Sequence, residues 1–312
     1  MTTYNCASFI KKAITSILNQ TYKDFEFLII DDGSTDNTES IVKSFNDNRI
    51  NYQRIEHIGI GAASNYGLKQ AKYDWIARMD ADDISSPNRL EIQSKFICND
   101  SVRIISSWCG YFLNNKLKYI INTPVDDHII KEKLKLHSVI SHQSSLFNKK
   151  FILNELGGYS ENLEAFIDYD LWLRAVNKVK FIVVPEVLIY ARIRNDSVSN
   201  SKLNKRDFTF YKLQRNYFSK LDSEILDNKI NGWREYFYGD KNSVRLNWLK
   251  VNLNEWDYRM FLAFIISFLP ENFLNSFKNL RLRLRFEYIL NRKIKYWGLD
   301  DTFRKLLLEV NK

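Results

Sequence analysis

The chain has 312 residues, 45% of them hydrophobic, which is enough apolar material for one large core with or without an appendage. Its three cysteines (Cys6, Cys98, Cys109) form no CxxC pair and its four histidines (His57, His128, His137, His142) form no HxxxH or Cys/His cluster, so a disulfide framework and a structural zinc site are both disfavoured. The net charge is +9, and all of the excess falls in residues 200–312, which divides the chain into a neutral body, 1–199, and a basic region, 200–312.

Phe9, Ile10, Ala13, Ile14, Ile17 and Leu18 in "SFIKKAITSILNQ" share one helical face. In "DFEFLIIDDGS", Phe25 to Ile30 is an almost unbroken apolar run that reads as a strand buried on both faces, ending at Asp31, Asp32 and Gly33. "STDNTESIVKSF" offers several N-cap residues for the next helix. A strand over 51–56, a helix over "AASNYGLKQA" and a strand "DWIARM" come next. That strand runs straight into "DADD", and Pro87 opens a further helix through "NRLEIQSKFI". The alternation predicts an α/β fold with a mostly parallel sheet, whose ligands sit beyond the carboxyl ends of the strands. Both acidic stretches lie at such ends.

After residue 100 the pattern changes. "RIISSWCGYFLNNKLKYII" reads as a hairpin with an Asn114-Asn115 turn, and "FIDYDLWLRAV" as a helix. "KFIVVPEVLIYARI" reads as two short extended pieces around Pro185. Beyond Ser199 nearly everything reads as helix, rich in aromatic and basic residues. The longest apolar run, Met260 to Leu269, is about half of the roughly 20 residues that span a bilayer. No leader-like stretch opens the sequence, so a cytoplasmic setting is expected.

Three carboxylates within four residues, Asp80, Asp82 and Asp83, repel one another unless a cation joins them, and hard divalent ions such as Mg²⁺ or Mn²⁺ take oxygen ligands of this kind. A metal held by one or two of them could bridge the phosphates of a nucleotide. The plainer alternative is a solvated acidic turn near a helix N-terminus. In "DDGSTDNT", Gly33 permits a tight turn and Asp32 could accept a hydrogen bond from a base or a ribose, while Ser34 to Asp36 could simply cap a helix.

"TTYNCASFIKKAITSILNQTYKDFEFLIIDDGSTDNT", "AASNYGLKQA" and "DWIARMDADDISSPNRLEIQ" together resemble the family-2 glycosyltransferases of the GT-A fold, over roughly residues 2–95. The likeness continues more loosely through "GGYSENLEAFIDYDLWLRA" and "PEVLIYARIRNDSVS". It implies a GT-A domain over 1–199 followed by a basic, mainly helical region over 200–312. It also implies that Thr2, Thr3, Tyr4 and Asp32 cradle the nucleotide base, and that Asp80, Asp82 and Asp83 serve ribose and a metal-bound diphosphate, with Mn²⁺ or Mg²⁺ on Asp82 and Asp83. Asp168 matches the general base, Gly157, Gly158 and Tyr159 the acceptor side, and Arg192 a basic residue that closes over the diphosphate. The chemistry implied is inverting transfer of a sugar, expected from a UDP-sugar, to a hydroxyl of a surface glycan such as capsule, O-antigen or lipooligosaccharide.

Three departures from the family pattern stand out. Only Met1 precedes the Thr-Tyr-Asn turn where an apolar strand is expected, so the first strand reads as truncated, with the true start upstream or a central strand lost. Ser64 stands where an arginine is common, and Ile167-Asp168 where Glu-Asp is usual, with Asp170 a candidate substitute for the missing acid. A catalytically impaired, nucleotide-sugar-binding relative is the alternative reading. A nucleotidyltransferase would want a Gly-rich basic loop near the N-terminus, and none is seen.

In the basic region, "FKNLRLRLRFEYILNRKIKYW" sets seven Lys and Arg residues against Glu287. With the apolar run before it, the stretch 260–297 could lie on an anionic membrane surface, as would suit a lipid-linked glycan acceptor. Packing on the catalytic domain with a solvated basic face is the other reading. No nucleic-acid-binding module is visible.

Overall fold

A computed structural model describes residues 1–97, 101–134, 138–194, 241–250 and 299–310, together with Thr209, Leu213, Tyr217, Asn228 and Phe264. The chain forms two compact units, one of Met1–Arg194 with Ile294–Lys312 and one of Asn195–Lys293. A helix over Lys241–Leu249 is the element described in the second unit. All that follows concerns the first.

Its first sheet is parallel throughout, in the order β1 (Thr2–Thr3), β2 (Phe27–Asp31), β3 (Ile50–Arg54). Parallel neighbours need crossover connections, and α1 (Ile10–Leu18) and α2 (Thr38–Lys43) supply them. The apolar face foreseen for α1 is real: Ile10, Ala13, Ile14 and Ile17 are buried against Phe27, Ile29 and Val42.

The opening strand is present, with two residues in the sheet. Thr2 pairs with Ile30 and Thr3 with Asp31. The carbonyls of Met1 and Thr3 accept from Ile30 N and Asp32 N, both at 2.9 Å. On its other side Thr2 bridges Asp80 in parallel. The residues that aim the Thr-Tyr-Asn turn therefore keep partners on both edges, which removes the cost of an unpaired central strand.

The second sheet is mixed. It contains β4 (Trp75–Ala77), β5 (Ile84–Ser85), β6 (Val102–Leu113), β7 (Lys116–Ile121), β8 (Leu146–Asn148) and β9 (Lys180–Arg192), in the order β4-β8-β6-β9-β5 with β7 on β6. Only β6 and β9 run parallel; the other pairs are antiparallel. The parallel sheet expected from the alternation thus describes the first half. The β6–β7 hairpin turns at Asn114 and Asn115, whose φ values of 49° and 58° are those of a type I′ turn, which asparagine tolerates. The two pieces expected around Pro185 are one continuous strand, β9. Ser107 pairs with Val184 and Trp108 with Val187, so Pro185 and Glu186 bulge out and are exposed. A residue with no N–H is tolerated there.

The helices α3 (Ile60–Gln70), α4 (Arg89–Ser94), α5 (Asp127–Leu134) and α6 (Ile167–Ala175) complete the unit, with α8 (Leu299–Val310) closing it after α7 (Lys241–Leu249) of the other unit. Phe303, Leu306, Leu307 and Val310 of α8 bury against Ile84, Phe112, Val187 and Tyr190. Each such burial is worth about 1.5–3 kcal/mol. The end of the chain, 294–312, therefore belongs with the first unit rather than with a region running from 200 to 312. Apart from Phe264, the stretch 260–297 lies outside the described residues. Among those described, no helix is long and apolar enough to cross a membrane.

Candidate active site

The acidic turn connects β4 to β5 and rests on two buried guanidiniums. Arg78 Nη2 lies 2.7 Å from Asp80 Oδ1 and donates to Thr2 Oγ1 at 3.1 Å. Beneath it, Arg89 donates to the carbonyls of Arg78 at 2.7 Å and Ser145 at 3.2 Å. Burial pulls Arg89 down to about 9, since no water shares its charge.

The three carboxylates then diverge. Burial works against the Asp80 carboxylate, yet Arg78 and, more weakly, His142 hold it below the usual range. Asp82 is pushed up by burial and by the charge of Asp80, against the pull of Arg194, whose Nη1 is 3.2 Å from Asp82 Oδ2. Asp83 is 4% exposed and pushed well up by burial and by Asp82 and Asp80. Its Oδ1 accepts from the backbone N–H of Arg192 at 2.9 Å, tying the turn to β9. That contact makes Asp83 a buried brace between the turn and β9.

Arg192 is also held. Its Nε donates to Asp82 O at 3.0 Å, and its guanidinium lies over the rings of Phe112 (4.5 Å) and Phe9 (4.8 Å). Arg194 lies over Phe9 at 4.7 Å. The cation nearest the open carboxylate is thus Arg194, one strand repeat beyond the Arg192 expected there.

The Thr-Tyr-Asn turn is laced to the helix that follows β2. Asn5, with φ 50°, donates its N–H to Ser34 Oγ at 2.9 Å and accepts from Thr35 N at 2.8 Å. Asp31 accepts from Ser34 N at 2.8 Å and from the Tyr52 hydroxyl at 2.6 Å. Asp32 accepts from Ile58 N at 2.8 Å and Gly59 N at 3.0 Å, and lies 2.9 Å from His57 Nδ1. It thereby anchors the start of α3. A carboxylate has about four lone-pair sites, so one further donor can be received. Tyr4 is 45% exposed and stacks on His57 at 4.2 Å. Thr3 Oγ1 and Ser64 Oγ are buried without a hydrogen-bond partner.

The loop before α6 forms the third side. Gly157 and Gly158 have φ of 75° and 79°, and a Cβ on Gly158 would meet Asn65 Oδ1 at 2.6 Å. That approach lets Asn65 clamp the loop, accepting from Tyr159 N at 2.7 Å and donating to Tyr159 O at 2.9 Å. Asp170 accepts from Ser160 Oγ at 2.6 Å and pairs with Arg174 at 2.6 Å. Arg174 in turn donates to the carbonyls of Leu156 and Gly158. Asp170 is therefore committed to the loop, and Ile167 is core, 6% exposed, so an acid there would face apolar surroundings. Asp168 lies half-buried in the first turn of α6.

A buried pair links the two acidic stretches. His142 Nε2 lies 2.8 Å from the Tyr159 hydroxyl. Burial raises the Tyr159 pKa; Arg78 lowers it, and Asp168 and Asp80 both raise it, so both carboxylates are within electrostatic reach of that hydroxyl. Burial and Arg78 bring His142 down to about 3. Nothing in the local sequence marks His57 or Arg78. For Arg194 the one signal is its spacing, two residues beyond Arg192 at the end of β9.

Among the described residues, no three acidic, histidine or cysteine side chains converge to hold a metal by themselves. The donor set fits an ion completed by substrate oxygens, because Asp82 keeps a carboxylate whose charge Asp80 makes costly. Mg²⁺-like ions are commonly held by one or two carboxylates plus phosphates.

Such an α/β unit carries its acidic turn at the strand ends, joined to the Thr-Tyr-Asn turn through the Thr2–Asp80 bridge. Residues 1–157 match the family model described as glycosyl transferase family 2. The chain is 32% identical over 244 residues to an uncharacterised glycosyltransferase of Rickettsia typhi, covering 76% of each. It is 30% identical over 226 residues to the O-antigen biosynthesis glycosyltransferase WbnJ of Escherichia coli, covering 69% of this chain and 86% of the relative. Its fold is similar to S. aureus TarS 1–349 in complex with UDP-GlcNAc (TM-score 0.57, 19% identity, 98% of this chain and 88% of that one). It is also similar to the mannosyltransferase PcManGT from Pyrobaculum calidifontis in complex with GDP-Man and Mn²⁺ (TM-score 0.53, 16% identity, 99% and 84%). The chain belongs to glycosyl transferase family 2 and has the GT-A fold.

Proposed function

We propose that the protein moves a sugar from a nucleotide-sugar donor, a UDP-sugar first among them, to a hydroxyl of a growing surface glycan, with inversion and with a divalent cation. The observation that carries this is the acidic turn at the strand ends, bridged to the Thr-Tyr-Asn turn through Thr2 and Asp80 and faced by Arg78 at Asp80 and Arg194 at Asp82. The E. coli relative named for O-antigen biosynthesis supports a surface-glycan acceptor. A cytoplasmic enzyme touching an anionic membrane through 260–297 would meet a lipid-linked glycan there.

In this reading Thr3, Tyr4 and Asp32 receive the base, Asp80 the ribose, and Asp82 the cation. Bound there, the cation would offset the negative charge that develops on the diphosphate as it leaves. Arg192 and Arg194 add positive charge on the same side. Asp168 takes the proton of the acceptor hydroxyl as its oxygen attacks the anomeric carbon, so the new C–O bond forms opposite the one that breaks. One base suffices, and no covalent sugar–enzyme intermediate forms. Gly157 and Gly158 shape the acceptor side.

The test is thermal stability of the purified chain with UDP, GDP, CMP and TDP, each with and without Mn²⁺. A ligand that binds only the folded state raises the melting temperature. A shift with one nucleotide that grows with Mn²⁺ is the expected result. A folded chain that answers to none of them refutes the donor site.

A further inference from the structure

We propose that Arg194 and the divalent cation are alternative partners of Asp82. Arg194 holds the nucleotide-free turn and moves onto the donor's diphosphate when the cation enters. This rests on the donor site assigned above and adds a positioning residue to it.

The charges of the turn motivate it. Asp80 has Arg78 at 2.7 Å, and Asp83 has the N–H of Arg192 at 2.9 Å. Asp82 has Arg194 at 3.2 Å, a longer contact whose two side chains are 21% and 19% exposed. Arg192 is not positioned to exchange partners, because its Nε is spent on Asp82 O and its plane lies between two rings. Arg194 rests on the Phe9 face, a surface over which a guanidinium can slide without losing its ring contact.

A divalent ion brings twice the charge of a guanidinium and seats at about 2.0–2.1 Å from oxygen. On Asp82 it displaces the weaker partner. The turn is already balanced by arginines, so a cation alone adds net positive charge to a half-buried site. A diphosphate entering with it cancels that excess and gives the released guanidinium two oxygens to grip. Cation and nucleotide should therefore bind as a coupled pair, each raising the affinity of the other by the same factor.

The experiment is a titration of the full chain with Mn²⁺, free ion read by electron paramagnetic resonance, with and without UDP. Arg194→Gln should tighten Mn²⁺ binding without nucleotide about tenfold, as expected when an opposing charge a few ångströms away is removed at a partly exposed site. It should also reduce the coupling between Mn²⁺ and UDP. Arg194→Met should behave alike, and Arg194→Lys like the wild type. The tenfold gain should vanish in Arg194→Gln with Asp82→Asn. If Arg194→Gln and Arg194→Met leave Mn²⁺ affinity unchanged or weaker while the wild type binds Mn²⁺ and UDP together, the exchange is refuted and the donor site stands. If the wild type shows no Mn²⁺-dependent UDP binding, the donor site itself has failed.

Discussion

The two acidic stretches of the catalytic unit, Asp80–Asp83 and Asp168–Asp170, divide their labour in the same way. Each buries one carboxylate as a brace and leaves another only half-buried. Asp83 ties the β4–β5 turn to the N–H of Arg192, and Asp170 ties the 157–160 loop to Arg174 and Ser160. Asp82 and Asp168 are the half-buried members. The comparison teaches that a cluster of acids in a sequence overstates the number available for chemistry. The difference lies in the counter-charge. Asp82 faces Arg194, two residues past the end of β9, whereas Asp170 has its arginine one helical turn away, on its own helix.

The sharpest way to break this division is at Asp168. Asp168→Asn should lower turnover about 10³-fold, within the range for loss of a general base. Affinity for UDP with Mn²⁺ should stay within about twofold, since the donor site lies on the other stretch. Steady-state rates and a binding isotherm together check both halves, and normal turnover would remove Asp168 as the base.

The buried member should fail differently. Asp170→Ala leaves Arg174, its side chain 18% exposed, beside the carbonyls of Leu156 and Gly158 with its carboxylate gone. Breaking one side of a buried pair costs about 3–5 kcal/mol. Urea unfolding should show that loss, and whatever folded protein remains should still respond to nucleotide. A variant as stable as the parent would mean the pair contributes nothing to the loop.

Much of this arrangement was legible locally. The run Phe25 to Ile30 ending at Asp31 and Asp32, the Asn114-Asn115 hairpin and the α6 helix all follow from period and turn chemistry, which act over a few residues. What was not legible was long-range pairing. Arg192 and Arg194 meet Asp83 and Asp82 across 109 and 112 residues only because β9 runs parallel to β6 and antiparallel to β5. Pro185 looked like a break because a bulge cannot be told from a strand end without the partner strand. Asp32 looked open because its donors, at 57–59, arrive from the far end of β3. The return of α8 to the first unit left no local trace, since its apolar face would serve equally against any surface.

The buried pair between the two stretches sets a pH limit on both. His142 packs against the Tyr159 hydroxyl and the rings of Tyr159 and Trp172, with Arg78 and Asp80 nearby. Its folded pKa of about 3 lies below the ordinary 6.5. The unfolded chain therefore takes up a proton near pH 6.5 that the folded chain refuses, so stability is fully present above 6.5 and is lost as pH falls toward 3. Between pH 7 and 4.5 the loss from this one group should be about 2.5 kcal/mol, at 1.36 kcal/mol per unit of pKa difference. His142→Gln keeps a partner for the Tyr159 hydroxyl and has nothing to protonate. Its urea midpoint should therefore fall less than the parent's between those two pH values. Equal falls would mean that the acid limb belongs to the carboxylates of the two stretches, and that the pair between them is only packing.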